Sequence, residues 1–194
     1  AVLLIAARVA GQRLPRSPAV VGRLALFSVF GVTLNQLFFI EGLSRTTPTH
    51  SALMNPTIPV SALLFAVLAG RELFTGRKLL SLLVATAGVL LILLPGPVDA
   101  VLSTVTGDLL TLANATSFAL FLVLSKPLLK RIDPLAATAT LLCFGTLGIA
   151  SVSLPDLLEL DFLAVSPSNW GMLIFVILGP TAGAYLLQYW ALAR

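Results

Sequence analysis

The sequence consists of successive apolar runs of about twenty residues, separated by short polar segments. A helix needs roughly 20 apolar residues to cross a bilayer core of about 30 Å. Complete membrane spans are therefore predicted for residues 24–43, 49–70, 79–94, 107–127, 134–154 and 170–192, and residues 1–7 are interpreted as the end of a truncated span. The pattern predicts an all-α, polytopic transmembrane helix bundle.

The composition excludes an ordinary soluble domain. Hydrophobic residues make up 58% of the chain, charged residues 10%, and the mean hydropathy is +1.02, whereas soluble domains are about half apolar and a quarter charged. The net charge of +4 is found in many nucleic-acid-binding proteins, but here the basic residues lie in short clusters between apolar runs. The predicted partner is the lipid bilayer, and no nucleic acid is predicted.

The basic residues also predict the orientation of the spans. Lys and Arg accumulate in cytoplasmic loops, and successive loops alternate sides. Of the twelve basic residues, all except Arg45 lie in alternate loops, near residues 8–23, 71–78 and 126–133 and at the end of the chain. These three loops are predicted to face the cytoplasm in a cell membrane. The intervening loops are predicted to carry most of the acidic residues: Asp99, Asp108, Asp156, Glu159 and Asp161.

Polar side chains inside the predicted spans are few, and they define a candidate pathway for a solute. Such a side chain costs a few kcal/mol in hydrocarbon, so it faces a cavity or pairs with a neighbour. The candidate pathway residues are Asn35, Gln36, Asn55, Asn114, Tyr185 and Gln188. Two further residues are candidates for coupling transport to an ion: Glu41 and His50.

Each of these residues also has a structural interpretation. Glu41 lies four residues before Arg45, the spacing of a helical ion pair, and His50 starts a span, where it can lie among lipid headgroups. Asn55 precedes Pro56, with Pro59 a turn later, and two prolines predict a bent helix whose freed carbonyls need partners. The remaining amides can instead connect helices, at roughly 1 kcal/mol per hydrogen bond.

Small residues repeat every four positions in two spans, as Ala62, Ala66 and Gly70 and as Gly179 and Gly183. This spacing allows close helix contacts, either within the chain or in a homodimer. The sequence does not distinguish the two.

Chemical motifs are absent from the sequence. It contains no HExxH, no paired cysteines, no phosphate-binding glycine loop and no GxSxG elbow. Cys143 is interpreted as a small buried hydrophobic residue. No catalytic residue, metal site or cofactor is predicted, and the chain is not expected to be an enzyme.

Three segments of the chain resemble EamA-type transporters of the drug/metabolite superfamily. Residues 43–60 (LSRTTPTHSALMNPTIPV) resemble the third-to-fourth helix region of that family. Residues 68–72 (LAGRE) are similar to its Gly-Glu turn, with Arg71 inserted between the glycine and the acid. Residues 107–135 resemble the opening of its second repeat.

The resemblance implies ten helices in two inverted five-helix repeats. Residues 1–95 would hold the end of the first repeat, from a partial second helix to the fifth, and residues 96–194 the sixth to eighth helices of the second repeat. The first, ninth and tenth helices would then be missing, so we expect no transport by this fragment alone. Residues 38–45 (FFIEGLSR) also align with residues 187–194 (LQYWALAR), which by the loop count lie on opposite membrane faces.

The function implied by the resemblance is secondary transport of small organic solutes, such as metabolites, amino acids or drugs, by alternating access. Two other classes remain compatible with the residues. A channel or a non-transporting membrane scaffold would also contain several spans and follow the charge distribution. A lipid-modifying membrane enzyme would need a clustered acid, base or metal set.

The orientation can be tested by labelling single cysteines in a Cys143→Ser background. We expect Ser17→Cys and Arg77→Cys to react from the cytoplasmic side, because basic loops stay there. Thr104→Cys and Ser166→Cys should react with an impermeant reagent from the other side. Labelling of Ser17→Cys and Thr104→Cys from the same side would contradict the six-span arrangement.

Overall fold

The computed structural model describes residues 3, 7, 9, 11, 12, 14–93, 98–162 and 164–179. No β-strand occurs in these residues, which confirms the all-α prediction. Within them the structure has α1 (Pro18–Ser28), a π-helical segment (Val29–Leu34), α2 (Asn35–Leu43), α3 (Pro48–Met54), α4 (Thr57–Leu68), α5 (Gly76–Leu93), α6 (Val98–Leu129), α7 (Pro134–Glu159) and α8 (Pro167–Val176).

Four helices begin with proline after an oxygen-bearing side chain, and in three of them that side chain caps the first turn: Thr47-Pro48 in α3, Asp133-Pro134 in α7 and Ser166-Pro167 in α8. The side-chain oxygens accept hydrogen bonds from the N–H groups of His50, Ala136 and Asn169, at 3.2, 3.0 and 3.3 Å. Proline is suited to the first helical position because its missing N–H would have no partner there. The sequence thus fixes where these helices start, and in α3 it places His50 in the first turn.

The predicted bend at Asn55 and Pro56 is confirmed as a complete break between α3 and α4. The carbonyl of Met54 accepts a hydrogen bond from Thr57 Oγ1 at 2.6 Å, and the Asn55 carbonyl accepts one from the Ile58 N–H at 3.0 Å. Proline provides no N–H for the normal helical pairing. Local donors therefore satisfy carbonyls that the break would otherwise leave open.

Helix α4 ends at a glycine in the left-handed conformation, Gly70, with a φ of 65°. The Gly70 N–H donates to the Val67 carbonyl and the Arg71 N–H to the Ala66 carbonyl, both at 2.9 Å. This pair of bonds is the Schellman arrangement, in which a residue with a Cβ would be strained. The helix end directs the chain back towards α6 immediately before Arg71.

The chain divides into two compact units. The central unit comprises Leu26–Lys126, and the terminal unit comprises Ala1–Ala25 with Pro127–Arg194. In the terminal unit, a buried cluster consists of Leu3, Ala7, Leu135 and Ala139, with Leu142 packed against it. The central unit contains six of the predicted site residues.

Three helical stretches of the described residues are long and apolar enough to cross a membrane: Pro18–Leu43, Val105–Leu129 and Pro134–Glu159. They correspond to the predicted spans 24–43, 107–127 and 134–154. The predicted span 49–70 is divided by the break, α5 begins three residues before residue 79, and residues 180–192 of the last span lie outside the described residues. Much apolar surface is exposed, including Phe175 at 70%, as expected for helices that face lipid.

The predicted positions of four acidic residues and the predicted burial of Cys143 were wrong. Asp99, Asp108, Asp156 and Glu159 lie in helices and not in loops, and the predicted loop at residues 155–169 shortens because α7 continues through Pro155 to Glu159. A proline removes one hydrogen bond, which a helix tolerates close to its end. Cys143 is exposed and not buried, on the same face as the exposed Leu147. A thiol is apolar enough to face lipid.

Two glycines allow the end of α2 and the start of α6 to approach closely. A Cβ on Gly107 would lie 2.6 Å from the Arg45 carbonyl carbon and 2.7 Å from the Thr46 nitrogen. A Cβ on Gly42 would lie 2.7 Å from Thr111 Oγ1. Because backbone atoms cannot move aside as a side chain can, glycine at position 107 is a requirement of this contact.

Replacing Gly107 with alanine should therefore lower the stability of the protein in detergent micelles. We expect a loss of about 1–3 kcal/mol in free energy of unfolding, the usual cost of overpacking. Gly88→Ala in α5 is the matched control, because a Cβ there has no atom within 4 Å. It should leave stability unchanged or raise it by up to about 1 kcal/mol through helix propensity. Equal stabilities of the two variants would contradict the close contact.

Candidate functional site

The structure brings some of the sequence-predicted site residues together and separates others. Asn35, Gln36, Glu41, His50, Asn55 and Asn114 all lie in the central unit. Tyr185 and Gln188 lie outside the described residues. Among the six, Asn35 and Asn114 are in contact, and His50 contacts an acidic residue that the sequence analysis did not select.

Asn35 and Asn114 connect the start of α2 to the middle of α6. The Asn114 side-chain amide donates to the Asn35 carbonyl at 2.6 Å, and the Asn35 amide donates to the Asn114 carbonyl at 3.3 Å. Each side chain therefore binds the backbone of the other residue. Asn114 is buried and Asn35 is partly buried. These reciprocal hydrogen bonds agree with the interpretation that the amides connect helices.

Asn114 belongs to a buried polar stripe on α6. Its members occur every third residue: Asp108, Thr111, Asn114 and Ser117. Ser117 Oγ donates at 2.8 Å to the carbonyl of Phe30, within the π-helical segment. Such segments depart from the usual helical pairing and often occur at functional sites. The spacing of three was visible in the sequence, but placing Asp108 in a loop removed its first member.

The buried carboxylate of Asp108 is the end of this stripe. Its Oδ1 accepts a hydrogen bond from Thr46 Oγ1 at 2.5 Å, and His50 Nδ1 lies 3.0 Å from its Oδ2. The Asp108 side chain is 0% exposed and the His50 side chain 29%. Three segments thus meet at one carboxylate: the loop after α2, the first turn of α3 and the N-terminal half of α6.

Glu41 has a different environment. Its Oε2 lies 2.7 Å from Arg45 Nη2, and both side chains are about half exposed, at 55% and 51%. The predicted ion pair is thereby confirmed. An exposed pair of this kind contributes little to stability, typically below about 1 kcal/mol.

Gln36 and Asn55 are exposed. Asn55 lies at the break between α3 and α4, where its carbonyl pairs with the Ile58 N–H. Its side chain is therefore available to a solute or to another helix. Within the part of the chain that the structure describes, Ser125 Oγ is the one buried side-chain atom without a hydrogen-bond partner.

A cavity of about 460 Å³ lies between α4 and α6. Its apolar walls include Pro59, Ala62 and Ala66 from α4 and Leu122 from α6. Its polar lining consists of Arg71, Glu72 and Lys126. This basic end of the central unit lies far from Asp108: Lys126 follows Asp108 by eighteen residues on α6, which corresponds to about 27 Å at 1.5 Å per residue.

The charges at the basic end are linked to one another. Arg71 donates a hydrogen bond to the Val123 carbonyl on α6. Lys78 Nζ lies 2.9 Å from Glu72 Oε2. The hydrogen bond from Lys78 and its charge lower the pKa of the Glu72 carboxyl, and Lys126 lowers it further. Glu72 is therefore ionised at neutral pH, and the polar lining combines two cations with one anion.

No group of three His, Cys, Asp or Glu side chains is close enough to hold a metal ion in the described ranges. The Asp108 cluster offers one carboxylate, one imidazole and one hydroxyl. This set can accept and release a proton. It lacks the four N, S or O ligands of an ordinary structural zinc site.

The connection between α2 and α6 can be tested with two alanine variants of α6. Asn114→Ala removes a hydrogen bond between helices and should destabilise the protein by about 1 kcal/mol. Thr116→Ala is the control, because Thr116 Oγ1 bonds only within its own helix, to the Leu112 carbonyl at 2.8 Å. Unfolding in detergent measures both. If Thr116→Ala costs as much as Asn114→Ala, the interhelical bond is not the stabilising contact.

Comparisons with known proteins agree with this architecture. The model of the EamA-like transporter family matches residues 1–94 and 105–194. The chain is 27% identical over 165 residues to the uncharacterized transporter YyaM of Bacillus subtilis, covering 84% of this chain and 53% of the relative. It is 27% identical over 175 residues to an uncharacterized transporter of Archaeoglobus fulgidus, covering 88% of this chain and 58% of the relative.

A plant relative shows a similar degree of likeness. The chain is 26% identical over 198 residues to a WAT1-related protein of Arabidopsis thaliana, covering 87% of this chain and 52% of that protein. No solved structure matches the chain. The chain spans about half the length of the curated relatives it matches. Since the family model covers nearly all of its residues, the chain belongs to the EamA-like transporter family.

Proposed function

We propose that the protein containing this chain is an integral membrane secondary transporter, and not an enzyme, that moves small organic solutes by alternating access. Membership of a transporter family is the observation that carries the proposal. The relatives from Bacillus and Archaeoglobus bear the name transporter. The proposed solutes are metabolites, amino acids or drugs. The proposed location is the cell membrane, with the basic end in the cytoplasm.

The polar stripe of α6 supports a transport role. Polar groups at membrane depth are costly unless they pair or face a cavity. Here Asp108, Thr111, Asn114 and Ser117 are buried over about three turns of the helix, whereas its apolar residues Leu109 and Leu122 are exposed. The stripe approaches the cavity at the basic end, since Leu122 and Lys126 line that cavity.

The lining of the cavity favours a solute that is partly apolar and partly charged. Its walls are aliphatic, and its polar groups are Arg71, Lys126 and the ionised Glu72. Arginine presents a planar fork of donors that suits a carboxylate. We propose that this cavity is the cytoplasmic part of the pathway, and that Asn35, Gln36, Asn55, Asn114, Tyr185 and Gln188 contribute polar contacts further along it.

We also propose that the two sequence halves, residues 1–95 and 96–194, belong to two inverted repeats. The family model matches two separate segments, 1–94 and 105–194. In inverted-repeat transporters the substrate site lies near the midplane, between the repeats. Such a site would need helices from both repeats of the complete protein.

The transport proposal can be tested by counterflow in proteoliposomes that contain the complete gene product. A carrier exchanges labelled solute against an unlabelled gradient, whereas a channel lets the solute equilibrate without exchange. We expect saturable counterflow for at least one amphipathic carboxylate, with loss of it in Arg71→Ala. Absence of counterflow across amino acids, organic acids and cationic drugs would overturn the proposal.

Asn55 provides a second test, of the pathway itself. Asn55→Leu should impair substrate binding or turnover while expression and membrane insertion stay normal, because its exposed amide lies at a helix break and can offer both a donor and an acceptor to a solute. Asn169→Leu is a matched control: Asn169 is exposed in α8 of the terminal unit. Normal transport by Asn55→Leu, or a parallel loss of folding and transport, would assign Asn55 to packing.

A further inference from the structure

Asp108 is a buried ionisable group for which the proposed solute pathway gives no role. It lies within α6, its side chain has no exposed surface, and both carboxylate oxygens are engaged, by Thr46 at 2.5 Å and by His50 at 3.0 Å. A carboxylate removed from water is costly unless its charge is compensated. The compensation here depends on the protonation state of one imidazole.

We propose that Asp108, His50 and Thr46 form a proton-binding site that couples solute transport to proton movement. The inference rests on the proposed transport function and names its coupling ion. The proton comes from water and binds the free ring nitrogen of His50, Nε2, while Nδ1–H donates to Asp108. Histidine is the side chain whose charge ordinarily changes between pH 5 and 8. The N–H bond forms as an O–H bond of hydronium breaks, and no other bond changes.

The net charge of the cluster depends on a single proton. Arg45 and Glu41 are the nearest other charged side chains among the described residues of α2 and the loop after it, and they neutralise each other at 2.7 Å on an exposed surface. On α3 the ionisable group is His50. Helix α6 carries Asp108 together with Asp99 and Lys126, which lie nine residues before it and eighteen after it, or about 14 and 27 Å along the helix. With neutral His50 the cluster carries one buried negative charge, and with protonated His50 it carries none.

Access for the proton follows from the unequal exposure of the two partners. Asp108 has no contact with solvent, whereas 29% of the His50 side chain is exposed. His50 lies in the first turn of α3, at the predicted outer end of its span, so its exposed ring edge can take a proton from water there and hold it against the buried carboxylate. A purely structural hydrogen bond would not require the titratable partner to be the accessible one.

The site also links protonation to a short helix next to a break in the chain's helical structure. His50 lies on α3, a helix of seven residues that ends at the break before Pro56. Protonation converts its hydrogen bond to Asp108 into a charge-assisted one, which is shorter and stronger. We therefore expect α3 to be held against α6 in the protonated state and to be released more readily in the deprotonated state.

The coupling experiment uses the complete gene product in proteoliposomes. Wild type should accumulate solute under an imposed pH gradient and also catalyse counterflow at equal pH on both sides. Asp108→Asn keeps the size of the side chain and a hydrogen bond to Thr46, but it removes the charge. It should retain counterflow and lose accumulation driven by the pH gradient, as should His50→Gln. The control Asp156→Asn, an exposed carboxamide substitution in α7, should retain both activities.

A labelling experiment tests the site without measuring transport. In a Cys143→Ser background, Ser51→Cys places a thiol on α3 at a position that is 4% exposed. Its reaction with an impermeant maleimide, divided by that of the exposed Ser44→Cys to cancel thiol ionisation, should slow as pH falls from 8 to 5. Adding Asp108→Asn should abolish this dependence.

The outcomes separate the inference from the transport proposal. Counterflow in wild type with no response to a pH gradient would overturn proton coupling and leave the transport proposal standing. Absence of counterflow would overturn the transport proposal, and with it the coupling. A normalised labelling rate that does not change with pH, or that changes equally in Asp108→Asn, would make the cluster a structural contact only.

Discussion

Hydrogen bonding inside the helix bundle is the constraint on which the central unit depends. Hydrocarbon offers no partner to a polar group, so each such group at membrane depth must find one in the protein. Helix α6 meets this requirement with a buried polar face whose members bind the α2 backbone, the π-helical segment, the loop before α3 and α3 itself. Leu109 and Leu122 of the same helix are exposed, at 53% and 41%.

Short side chains can make these bonds only where backbones come close. The Asn114 amide reaches the Asn35 carbonyl at 2.6 Å, and Gly42 and Gly107 bring the end of α2 equally close to α6. An added Cβ at Gly107 would need several tenths of an ångström of separation, and hydrogen bonds weaken over such changes. Glycines and polar side chains therefore act together: the glycines allow the approach, and the polar groups make it favourable.

The sequence predicted the class of fold, a bend at Asn55 and Pro56, and the Glu41–Arg45 pair, because each depends on local spacing. It did not predict that Asp108 is buried. A carboxylate beside a glycine near the end of a span is typical of a loop, and the contacts of Asp108 with Thr46 and His50 are visible only in the structure. Cys143 shows the opposite error, since apolar runs do not reveal which face meets lipid. The cavity beside Arg71 also depends on tertiary contacts, because Arg71 binds Val123 of α6, which lies fifty-two positions further along the chain. Features set by residue spacing along one helix could be predicted from the sequence, whereas contacts between helices could not.

The break between α3 and α4 has a mechanical consequence. The part before the break, α3, is held to α6 by His50 and Asp108, and the part after it, α4, leads through Gly70 to Arg71, which binds the Val123 carbonyl of α6. Each part is thus attached at its far end, and the Asn55–Pro56 turn between them has no continuous helical hydrogen bonding. A straight helix would pass a displacement at one end to the other, because packed helices move as rigid bodies. With the break in the middle, one attachment could loosen while the other holds, and the proposed alternating access would require such independence of the two ends.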